Sequence, residues 1–327
     1  MWPSLVARAR QQAGRALAGA QGSLLVLVAL VAVFALVAPG FFTLSNTDTL
    51  ARQGAILAIV TLGMTLVIIT GGIDLSVGAV VALTAVVFGL LARQGWPLPV
   101  AIVAALATAA ACGFANGWLS AYVGLPPFVA TLGIMGVARG LALVLADGRP
   151  ITGLDRGLLD ALNGQVLGIP VGLLAVVGLG GLTHALLAHT RWGVGLLALG
   201  GNRQGARLAG LPVHRDECLV YLYAGVLAGI AGFLTLGRMD VAHPLAGSGL
   251  EFDAIAAAVI GGTALEGGRG SAAGALLGAA FITVLRNGLG ILGASLYVQL
   301  LVVGLVIVGA FALDYLAGRR QPLAGAA

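Results

Sequence analysis

Apolar residues run along this chain in blocks of roughly twenty with few charges inside them, the length at which a helix rising 1.5 Å per residue crosses about 30 Å of hydrocarbon. Ten blocks are evident: 23–38, 50–70, 75–92, 97–122, 128–146, 165–189, 217–238, 252–265, 271–289 and 297–315. A membrane β-barrel would instead show short segments of alternating polarity. The pattern predicts an all-α, polytopic helical membrane protein of about ten transmembrane helices, with the short eighth block leaving that count open by one. The chain then divides into a leading segment 1–22, a membrane domain 23–316 and a tail 317–327.

Composition agrees, since 59% of the 327 residues are hydrophobic and 9% charged, against about 25% charged in soluble domains. Ten crossings put both termini on one side, and cytoplasmic loops carry an excess of basic residues. Arg8, Arg10, Arg15, Arg191, Arg203, Arg207, Arg215, Arg269, Arg319 and Arg320 fall on one side, and Arg52, Arg93, Arg149, Arg156 and Arg238 on or near the other. Both termini are thereby expected in the cytoplasm of a bacterial inner-membrane protein. Trp96, Trp118, Tyr122, Trp192, Tyr221, Tyr297 and Tyr315 stand at block ends, where amphipathic rings favour the membrane interface. The basic start and first apolar run have the outline of a secretory signal. The leading segment is long, however, and no A-x-A site ends the run, so an uncleaved first helix is expected. Arg8 and Arg15 among apolar neighbours fit either a stretch lying on the membrane surface or a tail without fixed structure.

Residue types exclude several activities. All seventeen basic residues are arginines, so there is no lysine for a Walker A phosphate loop or a Schiff base. The chain is therefore not itself an ATPase. His184, His189, His214 and His243 show no H-E-x-x-H spacing, and Cys112 and Cys218 lie far apart, so neither a metal site nor a disulfide framework is expected. No catalytic, cofactor-binding or metal-binding residue is expected. Lipid is the expected surroundings, and no nucleic-acid partner is implied. Asp and Glu gather at block ends, whereas secondary transporters carry acidic groups within their helices; that argues for an external energy source.

Three segments stand out. In the long polar connection 191–216, Asn202 can cap a short helix that Gly210 and Pro212 end. On it Arg203 and Arg207 face the same way, and Ala206 with residues 208–209 forms a small apolar surface. A docking element and an ordinary solvated loop fit equally on these grounds; the pair Gly200 and Gly201 reads as a helix stop. In residues 70–78 (TGGIDLSVG), Gly71 and Gly72 can end one helix and Asp74 can cap the next. An ionisable group so near hydrocarbon serves either a structural turn or a broken-helix lining of a solute path. In residues 246–270, Ser248 and Glu251 fit a capping box. Gly261, Gly262, Gly267 and Gly268 allow a packed turn at depth, facing a cavity.

Residues 63–78 (GMTLVIITGGIDLSVG), 198–210 (ALGGNRQGARLAG) and 250–263 (LEFDAIAAAVIGGT) resemble the ribose-type sugar permeases of ATP-binding-cassette importers. Residues 127–133 (PFVATLG) with Arg139, and 287–289 (NGL), match as well, in order from about Phe42 to Asp314. The resemblance implies the type II importer fold, with two inverted four-helix repeats made of helices two to five and seven to ten. It implies a homodimer or a pairing with a close homologue, and a periplasmic sugar-binding protein. It also implies two copies of a cytoplasmic ATPase, which carry the ATP and Mg. Residues 200–210 would be the helix that couples to the ATPase, and Gly200, Gly201, Asn202, Arg203, Ala206, Arg207 and Gly210 its contacts.

On this reading the path or gate is lined by Thr65, Asp74, Ser76, Asn116, Ser120, Phe128 and Thr131, while interhelical hydrogen bonding is the ordinary role of such polar residues. Arg139, inside a block, needs an acceptor or a wet cavity, and a structural ion pair is expected for it. Arg149, Asp155, Arg156, Asp240 and His243 are expected to meet the binding protein, where charged rims set encounter rate and register. A permease for branched-chain amino acids or nucleosides and, at greater distance, a secondary sugar transporter are the alternatives. The resemblance implies that selectivity among pentoses, hexoses and polyols lies mainly in the binding protein.

Overall fold

The computed structural model describes residues 22–319. The expectations for residues 1–21 and 320–327, Arg8, Arg10, Arg15 and Arg320 among them, lie outside the described residues. Each of the ten apolar blocks is helical: α1 Gly22–Val37, α2 Leu44–Ile69, α3 Val77–Arg93, α4 Leu98–Ala121, α5 Pro127–Leu145, α7 Val171–His189, α10 Val213–Met239, α11 Leu250–Ile260, α12 Ala272–Ile291 and α13 Leu296–Arg319. Three helices fall in the connections: α6 Arg156–Asn163, α8 Arg191–Gly201 and α9 Arg203–Leu208.

Local chemistry sets the ends. Pro97, Pro126, Pro170 and Pro212 immediately precede α4, α5, α7 and α10, where a fixed φ and a missing N–H cost nothing. Two boundaries differ from the sequence reading. The sixth block begins as a hairpin, β1 Gln165–Val166 against β2 Ile169–Pro170, because Leu167 and Gly168 both take positive φ and close a two-residue turn. The eighth block becomes α11, whose 11 residues reach only about 16 Å, half of a bilayer core.

The packing has an internal order. Helix α2 lies against α11 and α12, and α10 against α3 and α4; α3 packs on α4 and α5, and α11 on α12 and α13. Exchanging α2–α5 for α10–α13 therefore reproduces the neighbours. The exchange also inverts direction. Helix α2 ends where Ile69 meets Gly268, beside α8 and α9. Helix α10 begins there, with Glu217 held by Arg203, and ends beside α6, where Gly237 meets Leu162. The repeat is one of packing, with α2 and α10 crossing at the centre.

Small residues let the central helices approach this closely. At the α4–α10 crossing a Cβ on Gly225 would lie 2.6 Å from the Ala109 carbonyl oxygen, and one on Gly113 would collide with that of Tyr221. Between α11 and α12, Gly278 faces the carbonyl of Ala257 with no room for a Cβ. Around this core the outer faces of α4, α5, α7 and α13 expose Val103, Phe114, Leu132, Val144, Val177 and Leu305, the surface expected against hydrocarbon or a second membrane chain. Gly278→Val should lower the thermal midpoint of the detergent-solubilised protein by about 5 °C or more, since it forces two backbones apart. Gly178→Ala, where a Cβ meets nothing within 4 Å, should leave it unchanged.

Candidate translocation and coupling site

Beyond α10 the chain turns back into the bundle. Asp240 ends the helix in the left-handed region at φ 58°, and Ala242 exchanges backbone hydrogen bonds of 2.9 and 3.1 Å with Ile151. Ala242 lies over Gly89 of α3, and Gly247 lies over Gly78. Those two glycines are eleven residues apart on one helix, so the segment descends about 16 Å before α11 begins. Arg139 stabilises this partly buried loop: its Nη1 donates to the carbonyls of Pro244 and Ala246, both at 2.9 Å. The expected ion pair is thus replaced by two backbone acceptors, which non-helical backbone at depth needs in place of water. The capping box is half formed. Glu251 Oε1 accepts from Gly249 N at 3.3 Å, but Ser248 Oγ donates back to Leu245 O, and Gly249, at φ 85°, takes the cap position. Two steps on, Asp253 accepts from Arg286 of α12 at 2.7 Å, with both side chains largely buried. Sequence reasoning missed this pair, although Arg286, a cation inside an apolar block, requires a partner.

The turn 70–76 forms a second polar centre. Gly71, at φ 83°, ends α2, and Gly72 sits against the Tyr221 hydroxyl with no room for a side chain. Asp74, 1% exposed, accepts at Oδ1 from Ser76 N at 2.8 Å and Ser76 Oγ at 2.7 Å, an Asx-turn that opens α3. Asn116 Nδ2 donates to Ser76 Oγ at 2.8 Å, and Thr131 Oγ1 donates to Ile73 O at 3.2 Å. Asn116 Oδ1, Ser120 Oγ and the Tyr221 hydroxyl are buried with no protein partner among the described residues. Asp74, Ser76, Asn116 and Ser120 therefore converge, and Thr131 anchors the adjoining backbone. Thr65 is buried earlier on α2, and Phe128 is exposed on the first turn of α5. Tyr221 was expected at the interface; it is instead fully buried, because α10 starts a turn before its apolar block and carries the ring inward.

The connection 191–216 holds two helices where one was expected. Thr190 Oγ1 caps α8 by accepting from Gly193 N, and Asn202 Oδ1 caps α9 by accepting from Gly205 N at 2.7 Å; Gly210, at φ 79°, follows α9. Gly200 and Gly201 are the last residues of α8, which stops at that pair, and Gly200 packs on the carbonyl of Ile69, to which Gly268 N donates at 2.8 Å. No side chain fits at that three-way junction. Arg203 pairs with buried Glu217 at 2.6 Å, and Ala206 packs inward against Leu199 and Val213. The face left outward carries Gln204, Arg207 and Leu208, the last 83% exposed.

Residues 46–311 match the family model described as the branched-chain amino acid transport system / permease component. The chain is 40% identical over 299 residues to the ribose import permease protein of Escherichia coli (strain K12), covering 90% of this chain and 93% of that one. It is 42% identical over 295 residues to the ribose import permease protein of Bacillus subtilis (strain 168), covering 90% and 92%. It is 35% identical over 297 residues to the D-allose transport system permease protein of Escherichia coli (strain K12), covering 90% and 91%. The chain belongs to this permease family.

At the opposite end of the permease, Arg149, Asp155, Arg156 and Asp240 are exposed, and His243 is partly so. Two of these have local duties: Asp155 Oδ1 caps α6 by accepting from Leu158 N, and His243 Nδ1 accepts from Leu245 N. Arg52 ties α2 to the end of α6 through Asn163, and pairs with Asp48 at 2.6 Å. Arg139→Gln strips two buried carbonyls of a charged donor, at a cost of about 2 kcal/mol or more. It should therefore speed proteolysis at 240–249 in the detergent-solubilised permease; an unchanged cleavage rate would show that Arg139 does not hold that loop.

Proposed function

We propose that this permease is the membrane-spanning subunit of an ATP-driven importer that moves a monosaccharide from a periplasmic binding protein to the cytoplasm. The observation that carries the reading is identity of 35–42% over nine tenths of the chain to proteins named for ribose and D-allose import. The family description names branched-chain amino acids, and these relatives favour sugar over that second reading. The arginines of the α8–α9 end support a cytoplasmic position for it and for both termini. The exposed Arg207 and Leu208 suit docking to an ATPase, whose ATP and Mg do not belong to this chain. The acidic and basic rim around α6 and Asp240 suits the binding protein.

The geometry supplies a mechanical route. Movement imposed on α9 passes through Asn202 to α8, and Gly200 bears on the end of α2 and on Gly268. The α2 end leads directly into the Asp74 turn. When the ATPases close, the two permease copies rock, and the polar residues around Asp74 change which side they face. Such a path needs hydroxyl partners, but few of them, because tight binding prevents release.

Two outcomes test the reading. Arg207→Glu combined with Leu208→Asp should abolish copurification of a cassette ATPase in mild detergent while leaving the permease monodisperse. If the wild-type permease copurifies with no ATPase yet moves sugar in vesicles, it is a secondary carrier. Asp74→Asn should lower sugar uptake at least about tenfold, with a smaller loss of protein in the membrane, if the turn lies on the path; equal losses of uptake and protein assign Asp74 to structure alone.

A further inference from the structure

The half-length α11 leaves space above its first turn. A cavity of about 160 Å³ lies between α2, α10, α12 and the start of α11, lined by Gln53, Thr235, Arg238, Asp253, Thr283 and Arg286 together with apolar side chains. It reaches the surface beside Arg238 and Met239, both exposed at the end of α10. This is the end of the bundle opposite α8 and α9, and it lies apart from the Asp74 turn.

The wall is mixed in a particular way. Arg286 gives one Nη2 bond to Asp253 Oδ1, and its Nε is buried with no partner among the described residues. Asp253 keeps Oδ2 beyond that bond. Thr283 and Thr235 have donated their hydroxyl protons to Ala279 O and Ala231 O, so their oxygens can only accept. Gln53 brings an amide with both donor and acceptor. An anion here would meet the carboxylate and two accepting hydroxyls, and a cation would meet two guanidiniums. A neutral molecule whose groups both donate and accept answers every part of the wall, and hydroxyls do so. A void of roughly 150 Å³ holds one six-membered ring, against about 30 Å³ for a water in the liquid, which sets the size at one sugar ring.

We propose that this cavity is a monosaccharide site within each protomer, an outer waypoint where a sugar released by the binding protein is held through its hydroxyls before it moves on. Arg286 and Asp253 hold it as a donor and acceptor pair, Gln53 bridges adjacent hydroxyls, and Thr283 accepts from one of them. The assignment rests on the sugar-import reading.

The test uses the importer reconstituted with its ATPase and binding protein in proteoliposomes, with D-ribose and D-allose as probes. Gln53→Leu removes the amide without leaving a buried charge. It should lower uptake of the transported sugar about fivefold or more, the worth of roughly one hydrogen bond, while binding-protein-stimulated ATP hydrolysis stays as in wild type. In the permease alone, in detergent and with Cys112 and Cys218 replaced by serine, the Thr283→Cys thiol should react with a small maleimide. Saturating transported sugar should slow that reaction about fivefold or more, and equimolar sulfate should not. Protection by sulfate would replace the sugar with an anion. Absence of any protection, or a thiol that never reacts, would leave the cavity to water or close it, and each overturns the assignment. If the wild-type complex imports no monosaccharide, it is the importer reading that fails; if it imports sugar and the Gln53→Leu permease matches it, only the cavity assignment falls.

Discussion

A bilayer offers no water to an unpaired peptide group, so backbone that is not helical at depth must find its partners inside the protein. The stretch 240–249 is where this constraint bears hardest. It descends beside α3 through Ala242 and Gly247, and its carbonyls at 244 and 246 would be orphaned without the guanidinium of Arg139. Because the chain spends half the membrane's depth in this loop, α11 is short. Because α11 is short, its first turn opens inside the bundle, and Asp253 meets Arg286 in the interior. A cavity lies beside that pair, between it and Gln53 of α2 and Thr235 of α10.

Close approach of backbones is the second consequence of the same solvent. Lipid tails are as apolar as leucine, so helices gain little from hiding apolar surface and gain instead from contact. Gly113, Gly225 and Gly278 bring α4 to α10 and α11 to α12 at distances where a methyl group would collide. At Gly200 the same device joins three elements: the end of α2, the turn at Gly268 and the helix leading to α9. A junction without side chains has no soft rotamers to absorb a displacement, which suits it to pass motion from α9 to the Asp74 turn.

The two polar centres differ in how their charge is balanced. Asp253 has a guanidinium at 2.7 Å, whereas Asp74 has only hydroxyl and amide donors around it. The one is a neutral pair that can stand still in low dielectric. The other depends on Ser76 and on Asn116 of α4, so a shift of that helix changes its surroundings directly.

Much of this was legible along the chain. The ten apolar blocks read as helices because length and polarity alone decide whether a segment crosses hydrocarbon, and the cap at Asn202 read correctly because its bond lies within three residues. Asp74, Ser76, Asn116 and Ser120 were candidates for the path, but their convergence was not foreseen. Spacing could not have found it, since the turn and α4 are forty residues apart. Arg139 illustrates the limit: the sequence demands an acceptor for a buried cation but cannot name one, and the partners proved to be carbonyls about a hundred residues away. Arg203, expected in the docking set, pairs with Glu217, and Tyr221 turns inward to Gly72 for the same reason: which face of a helix meets which neighbour is set by packing. By itself the sequence determined the class of solvent, the positions of the apolar helices and some of their local ends, all properties of short stretches. Only the tertiary structure decided that the eighth block crosses half the membrane and that Asp253 and Arg286 meet, because long-range contacts in a close-packed bundle depend on every helix at once.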